Sequence, residues 1–431
     1  MMNTKISLQK MPQMFKHCDY VKQQYSGTFI DRPVAILLML LLLPCFIINV
    51  TLALMSQRSL FSIQYKTDAF NRKIVLHHFT CGIFVKTAVL LDVFFGRISL
   101  CGVPLTHRLT PDEQLCVMKQ IRCRAGIFSL YDLHVKTGLT VMTKEKLLEQ
   151  QLNGSFADYT ALMIKSFMAI LFYGRTIAPL NQTKYLSLFG LKINNTSMAE
   201  AVNWIIKPKC QTNKAQIIFF INAYSINLSI SKPSFFKQLL KADTLFAEGS
   251  GMRLAARKAG SLLKGNNNGT DMLPYLCKSC IKNSQSLYFL GAKPGIAKKA
   301  AEVLCEQFPE LNIVGTEHGY NDASSTKQII KKINNSACDV LLVAMGSPLQ
   351  EEWLLEHEAQ LNCKSALAVG GLFDFYSNKI SRSPMWLREI GLEWIWRLLQ
   401  EPSSKFYRYV IGNPLFLYRT FLLDLVNKGE K

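Results

Sequence analysis

Acidic side chains are in short supply: 30 Asp and Glu stand against 50 Lys and Arg, leaving a formal charge of +20. Such a surplus suits anionic partners, whether nucleic acid, acidic lipid headgroups or the phosphates of nucleotides and lipid carriers. Nucleic acid is set aside, because no zinc-finger, helix-turn-helix or aromatic RNP signature accompanies the charge. A cleavable signal is also missing. Lys5, Lys10, Lys16 and Lys22 lie in a long polar stretch ahead of the first apolar run, and no small-residue cleavage site follows promptly. The bulk of the chain is therefore expected in the cytosol. The 12 cysteines, Cys18, Cys45, Cys81, Cys101, Cys210, Cys338 and Cys363 among them, are scattered, which excludes a compact disulfide scaffold and implies reduced thiols. Cys277 and Cys280 have metal-ligand spacing, but no second CxxC or HxxxH lies at a usable distance. They read as half-buried thiols on a helix.

With 431 residues, 49% hydrophobic and 19% charged, the chain can bury at least two ordinary cores, and two or three structural units are expected. The longest apolar feature runs from Pro33 to Met55 without a charged residue. At about 1.5 Å per helical residue it can just cross a hydrocarbon layer of about 30 Å. Pro44 removes one helical hydrogen bond near its middle, so a kink is expected there. Lys22 and Arg32 precede the run and Arg58, Lys66, Arg72 and Lys73 follow it, so cations flank both ends. A spanning helix usually shows asymmetry, and the balance favours a re-entrant, monotopic hairpin over a full crossing.

Between Gln64 and Gly174, short apolar runs alternate with basic turns. His77 and His78 are adjacent, and neighbours on a strand face opposite sides, which speaks against one shared metal ion. Asp92, Asp112 and Glu113 are expected at a solvated surface. In order come Asp31 before Pro44, then HHFTC (His77 to Cys81), LLDVFFGRISLCGVPL (Leu90 to Leu105) and Arg124, Ala125, Gly126, Ile127, Phe128, Ser129, Leu130. This succession resembles the bacterial polyprenyl-phosphate sugar transferases, the monotopic phosphoglycosyl transferases. That family uses an adjacent Asp-Glu pair whose Asp attacks the sugar-nucleotide phosphate. The matching positions here hold Val85 and Lys86, and two family arginines are missing. The resemblance implies a small α/β membrane-anchoring module that has lost its chemistry.

Arg175 to Lys184 is polar and is the expected linker. Beyond it, strand-like runs at Gln216–Ile221, Ser286–Leu290, Asn312–Val314, Val340–Val343 and Ser365–Val369 alternate with helical stretches such as Ile296–Phe308 and Ser325–Asn334. Alternation of this kind predicts an α/β fold with a Rossmann-like, mostly parallel sheet, whose ligands sit at the carboxyl ends of the strands. Asn222 follows the first run, and Gly291 to Gly295 (GAKPG) leads into a helix and can offer N–H groups to a phosphate. AMGSPLQEEW (Ala344 to Trp353) and GGLFDFYSNKISRSP (Gly370 to Pro384) follow two further runs.

Together with Gly269-Thr270-Asp271, Tyr288 to Gly295, Val314 to Tyr320 and Gly391 to Pro402, these segments resemble the WecG/TagA/CpsF glycosyltransferase family over nearly all of Leu188 to Leu417. The resemblance implies an inverting enzyme. It would move an N-acetylhexosamine, or its uronic acid, from a UDP-sugar to an undecaprenyl-diphosphate-linked acceptor in bacterial surface polysaccharide synthesis. Inversion in one displacement needs a base for the acceptor hydroxyl and a way to stabilise departing UDP. The family's base, the Asp of a DGxG turn, corresponds to Glu248 in Glu248-Gly249-Ser250-Gly251. The alternative for Glu248 is a loop carboxylate capping the next helix. Asn222 matches the family's strand-end Asn, with Phe220 where a Thr is usual. The resemblance also implies substrate-binding positions at Gly249, Gly251, Thr270, Asp271, Gly291, Gly295, Gly346, Gln350, Glu351, Asp374, Arg382, Arg397 and Arg408. A polar pair at a helix start is the alternative for Gln350 and Glu351. Leu349 and Ser404 replace a family Lys and Arg.

No Asp-x-Asp occurs, so side-chain cations or backbone dipoles, and no metal or cofactor, are expected to hold the diphosphate. From Trp386 onward arginines mix with aromatics, Trp394, Trp396, Phe406, Tyr407, Tyr409, Phe416 and Tyr418. That pattern fits either a membrane-interface tail or a tail packed on its own domain. The expected organisation is a polar segment 1–28, a membrane-anchored degenerate module 29–174, a linker 175–184, a transferase domain 185–385 and a basic, aromatic appendage 386–431. The place implied is the cytoplasmic face of a bacterial inner membrane, with membrane lipids, the UDP-sugar and the lipid-linked acceptor as partners. Self-association or membership of a polysaccharide assembly complex stays open, and a catalytically silent adaptor in such a complex is the rival reading.

Overall fold

The computed structural model describes residues 28–67, 73–105, 124–137, 144–173, 183–207, 214–319 and 323–427. The N-terminal polar segment, Arg72, Asp112, Glu113, Cys18, Cys210, most of the 175–184 linker and Tyr320 lie outside the described residues. The chain divides into two compact units, residues 1–132 with 143–166, and residues 133–142 with 167–431.

In the first unit the apolar run forms two helices, Thr28–Leu41 and Leu43–Met55. Pro44 stands in the first turn of the second helix, where a missing N–H is tolerated, and the break falls at Leu42. No single helix among the described residues is long and apolar enough to cross a membrane, whereas Ile30–Leu41 and Leu43–Met55 meet that test together and bend by 69°. Leu40, Leu41, Leu54 and Met55 are exposed along the pair. Buried Asn49 fastens the second helix to the loop at Ile83, whose carbonyl accepts at 2.8 Å and whose N–H donates at 2.7 Å. An antiparallel ribbon, β1 (Phe61–Thr67) with β2 (Lys73–Phe79), and a parallel pair, β3 (Ser99–Cys101) with β4 (Gly126–Phe128), complete the strands here. Ala35, Leu76, Val93, Ile98 and Leu100 pack into one small core.

Asp92 does not lie at a solvated surface. It is fully buried, accepting from the His77 backbone N–H at 2.8 Å and from Arg97 Nη1 at 2.9 Å, with His77 Nδ1 at 2.7 Å. A carboxylate without water needs such donors, and its spacing from His77 and Arg97 carries no local signal of them.

The second unit is built on an eight-stranded sheet in the order β10-β9-β11-β12-β7-β8-β6-β5. The strands are β5 (Tyr185–Leu188), β6 (Leu191–Asn194), β7 (Gln216–Ile221), β8 (Thr244–Ala247), β9 (Ser286–Gly291), β10 (Asn312–Glu317), β11 (Val340–Ala344) and β12 (Ser365–Ala368). All neighbouring pairs run parallel except β5 with β6. Those two form a hairpin in which Phe189 (φ 55°) and Gly190 (φ 76°) supply the positive dihedrals of a tight two-residue turn.

The central strands are apolar on both faces because helices cover both. Phe219, Ile221, Leu245 and Val343 feed one core with Phe235 and Phe416. Their neighbours Ile218, Phe220, Phe246 and Leu342 feed the other with Leu304 and Phe373. Alternation along each strand thus serves two cores at once. Cys277 and Cys280 lie on the helix Gly269–Lys282 as expected, but both are fully buried, with their thiols pushed up by burial.

From β7 the chain steps to its neighbour β8, then crosses β7 to β9, goes out to β10 and returns through β11 to β12, so the two strands that flank β7 are reached from opposite sides of it. That is where such sheets open a crevice at their carboxyl edge.

Replacing Asp92 by Ala leaves the His77 N–H without an acceptor. We expect the first unit to lose about 2 kcal/mol, read from denaturant unfolding of the full chain; an unchanged midpoint would contradict the role given to this carboxylate.

Candidate active site

The carboxyl ends of β7 and β8 place Asn222 and Glu248 side by side in the chain trace, since the Glu248 N–H donates to the Ile221 carbonyl at 2.8 Å. Asn222 caps the helix Ala223–Ser231, its Oδ1 accepting from the N–H groups of Tyr224 and Ser225, each at 3.1 Å. Its oxygen therefore serves the helix, which sequence reading did not foresee for a residue expected to orient substrate.

Glu248 stands at the equivalent position before the helix Gly249–Lys258, yet its side chain makes no capping bond. The capping alternative does not hold. Gly249 (φ 86°) instead has its N–H satisfied by Asn266 Oδ1 at 2.7 Å. Glu248 is half-buried. Burial pushes its carboxyl above the usual glutamate range, Arg408, Arg397 and Arg382 pull it back, and Glu393 raises it further. A carboxyl poised this way is a stronger base than a solvated one once ionised. At Gly251 a side chain would press on Ala223 at 3.1 Å and on the Phe416 ring at 3.2 Å, so glycine lets the C-terminal stretch approach closely.

The Gly269–Lys282 helix opens beneath this edge. Asn268 caps it at the Thr270 N–H, 2.9 Å, and Tyr376 donates to the Thr270 carbonyl at 2.8 Å. Asp271 takes Arg382 Nη2 at 2.5 Å and Arg388 Nη1 at 3.4 Å, and Arg382 Nη1 lies 3.6 Å from Glu393. Asn268, Tyr376, Arg388 and Glu393 complete this network beside the residues expected from sequence. The asparagine run before Thr270 was the available signal for the first of them.

Across the sheet, the ends of β9, β11 and β12 supply the glycine turns. A Cβ at Gly291 (φ 135°) would collide with the Ala344 carbonyl, so β9 and β11 close up only with glycine there. Gly295 begins the helix Ile296–Gln307 in a left-handed conformation. Gln350 Oε1 accepts from the N–H groups of Gly346 (3.2 Å) and Gly370 (2.9 Å), tying together the loops after β11 and β12. Glu351 Oε1 accepts from Ser347 Oγ at 2.7 Å and from Gln350 Nε2 at 3.0 Å. At 3% and 2% exposure, Gln350 and Glu351 brace the loops from within, beyond what a solvated polar pair at a helix start would do. Burial drives the Glu351 carboxyl upward against the hydrogen bonds from Gln350 and Ser347. Asp374, on the short helix Leu372–Tyr376, pairs with Lys379 at 2.8 Å.

The C-terminal arginines arch over the same edge. Arg397 lies over the Phe375 ring at 4.6 Å, with Arg382 at 5.7 Å from that ring, and Arg408 lies over Tyr224 at 4.6 Å. The Nε atoms of Arg397 and Arg408 are buried without a hydrogen-bond acceptor among the described residues. The stretch is tied down by Asn227, which donates to the Gly412 carbonyl at 2.7 Å and accepts from Arg419 at 2.9 Å. Tyr409 and Phe416 are buried while Tyr407, Phe421 and Leu422 are exposed, so the appendage packs on its own domain and presents apolar surface outward. Among the described residues no three His, Cys, Asp or Glu side chains gather into a metal-binding group.

Glu248, Asp271, Arg382, Arg397 and Arg408 are thus gathered, whereas Gln350, Glu351 and Asn222 serve as scaffolding. The arrangement offers an uncapped carboxyl beneath a guanidinium cluster, which can accept a proton beside a developing negative charge.

The model of the Glycosyl transferase WecG/TagA/CpsF family matches residues 186–430. Similar proteins include the N-acetylglucosaminyldiphosphoundecaprenol N-acetyl-beta-D-mannosaminyltransferase of Staphylococcus aureus strain MRSA252, 25% identical over 246 residues that span 57% of this chain and 95% of the relative. Its counterparts in strains MW2 and NCTC 8325 / PS 47 share the same 25% identity over the same length. With more than half its length matched, and with the motif glycines and acidic and basic groups on one sheet edge, the chain belongs to the WecG/TagA/CpsF glycosyltransferase family.

Proposed function

We propose that this glycosyltransferase moves an N-acetylhexosamine, or its uronic acid, from a UDP-sugar to a sugar on undecaprenyl diphosphate, with inversion at the anomeric carbon. The observation that carries the reading is the Glu248 carboxyl, left uncapped at the end of β8 and within electrostatic reach of Arg382, Arg397 and Arg408. The names of the relatives support the acceptor: they describe enzymes that add N-acetylmannosamine to GlcNAc-diphosphoundecaprenol.

In the proposed step the acceptor hydroxyl oxygen bonds to the sugar's anomeric carbon as the bond from that carbon to UDP breaks. UDP leaves with the electron pair, and the hydroxyl proton passes to Glu248. Arg397 and Arg408, whose Nε donors have no acceptor among the described residues, offset the charge gathering on the diphosphate. Glutamate reaches one methylene further than the family's aspartate, so the same chemistry requires the acceptor to sit slightly further from the strand end.

The first unit is proposed to hold the enzyme at the cytoplasmic face of a bacterial inner membrane as a degenerate monotopic transferase-like module. The 69° bend between two apolar helices and their exposed leucines support a re-entrant hairpin. The exposed apolar side chains of the appendage, among basic residues, support a second contact with an anionic surface.

Three measurements test this. UDP release by the detergent-solubilised full chain, offered UDP-hexosamines and a polyprenyl-diphosphate-GlcNAc analogue, should require the acceptor and fall about 10²- to 10⁴-fold in Glu248→Gln. Folded protein that releases no UDP with any pair would favour the silent adaptor. Because a base must be ionised and burial raises Glu248, the acid limb of the rate profile should lie above the ordinary 4.5 and vanish in Glu248→Gln. For the membrane contact, the chain should resist extraction by high salt and alkaline carbonate, and charged substitutions at Leu40 and Leu54 should release it; extraction of the unaltered chain by salt alone would contradict the hairpin.

A further inference from the structure

Glu389 ends the short helix Met385–Glu389, next to Arg388, and one of its partners comes from far upstream in the chain. His134 Nε2 lies 3.2 Å from Glu389 Oε1, with side-chain exposures of 3% and 4%. Among the described residues His134 Nδ1 has no hydrogen-bond partner, and Glu389 holds the ring at Nε2. His134 belongs to the helix Leu130–Thr137, whose first turn is closed by Ser129 Oγ accepting from the Asp132 N–H at 2.9 Å.

One residue further on, the Val135 carbonyl accepts from Arg253 Nη2 at 2.7 Å. Carbonyls in the last turn of a helix lack partners within it and form its negative end, which suits a guanidinium. Arg253 lies on the helix Gly249–Lys258, which starts from Glu248. The segment 133–137 therefore holds two helices of the site at once. One begins at the proposed base, and the other carries Arg388 to within 3.4 Å of Asp271.

Losing a buried hydrogen bond to a carboxylate is costly, so the His134 contact favours one placement of the Met385–Glu389 helix. The residues matched by the family begin at 186, so this support is added from outside the family domain. We propose that His134 is a positioning residue of the transferase site, acting through Glu389 to hold Arg388 against Asp271. The proposal rests on the transferase reading above.

The test uses the full chain with His134→Leu, which removes the donor, and His134→Gln, which keeps an N–H within reach of Glu389. His134→Leu should increase hydrogen–deuterium exchange across residues 385–400 and raise the donor KM about tenfold, as expected when a binding group is displaced by about an ångström. His134→Gln should restore both. A merely structural role would lower the unfolding midpoint and the active fraction while leaving KM unchanged for folded protein, and that result would overturn the proposal. Should His134→Leu fail to fold, His134→Asn, polar but too short to reach Glu389, carries the same expectations. A wild-type chain that turns over no donor fails the transferase reading instead; the exchange measurement then decides alone, and unchanged exchange at 385–400 overturns the inference.

Discussion

The second unit depends on one constraint: a parallel sheet exposes its backbone polar groups only at strand ends, because helices must cover both faces. The strands β7, β8, β9, β11 and β12 are too apolar to carry chemistry along their length, so polar function collects where they stop. Asn222, Glu248, Gly291, Gly346 and Gly370 each stand within two residues of such an end. The backbone bond from Glu248 to Ile221 then brings the ends of β7 and β8 together without using either side chain. Two adjacent strand ends lead into helices, and the difference between their caps separates scaffold from candidate base. Asn222 turns its oxygen onto its helix, while Glu248 leaves that task undone.

Electrostatics then set the character of the candidate base. Burial alone would keep the Glu248 carboxyl neutral, and the arginines alone would keep it ionised and weak. Their opposition leaves it raised but not isolated, with the C-terminal stretch supplying Arg397 and Arg408. That stretch is held by Asn227, by Arg419 and by the buried rings of Tyr409 and Phe416. The same arginines are suited to a diphosphate, so the group that tunes the base also faces the expected leaving group.

Much of this was legible in the sequence. β7 coincides with the expected run, β9, β11 and β12 lie within a residue of theirs, and β10 runs further than its expected segment, because continuous apolar runs between turn residues are what a doubly covered strand requires. β8 was not seen, since Thr244–Ala247 is too short to show a period, and β5 and β6 are four-residue edge strands whose signal is the turn between them. Motif spacing located Glu248, Asp271, Arg382 and Arg397. It could not reveal that Asn222 caps a helix, that Gln350 is buried as a brace, or that Asp92 is sealed under His77 and Arg97, because each depends on what packs above it. The bond between His134 and Glu389 joins residues 255 apart, and no local pattern records a contact of that range.

The most direct measurement is the titration of the Glu248 carboxyl itself, followed by difference infrared spectroscopy against Glu248→Gln, in the unaltered chain and in Arg408→Met. We expect a midpoint above the ordinary 4.5 that rises further when Arg408 is removed, because that guanidinium favours the ionised form. A midpoint at or below 4.5, or one that ignores Arg408, would contradict a half-buried base held under the C-terminal arginines.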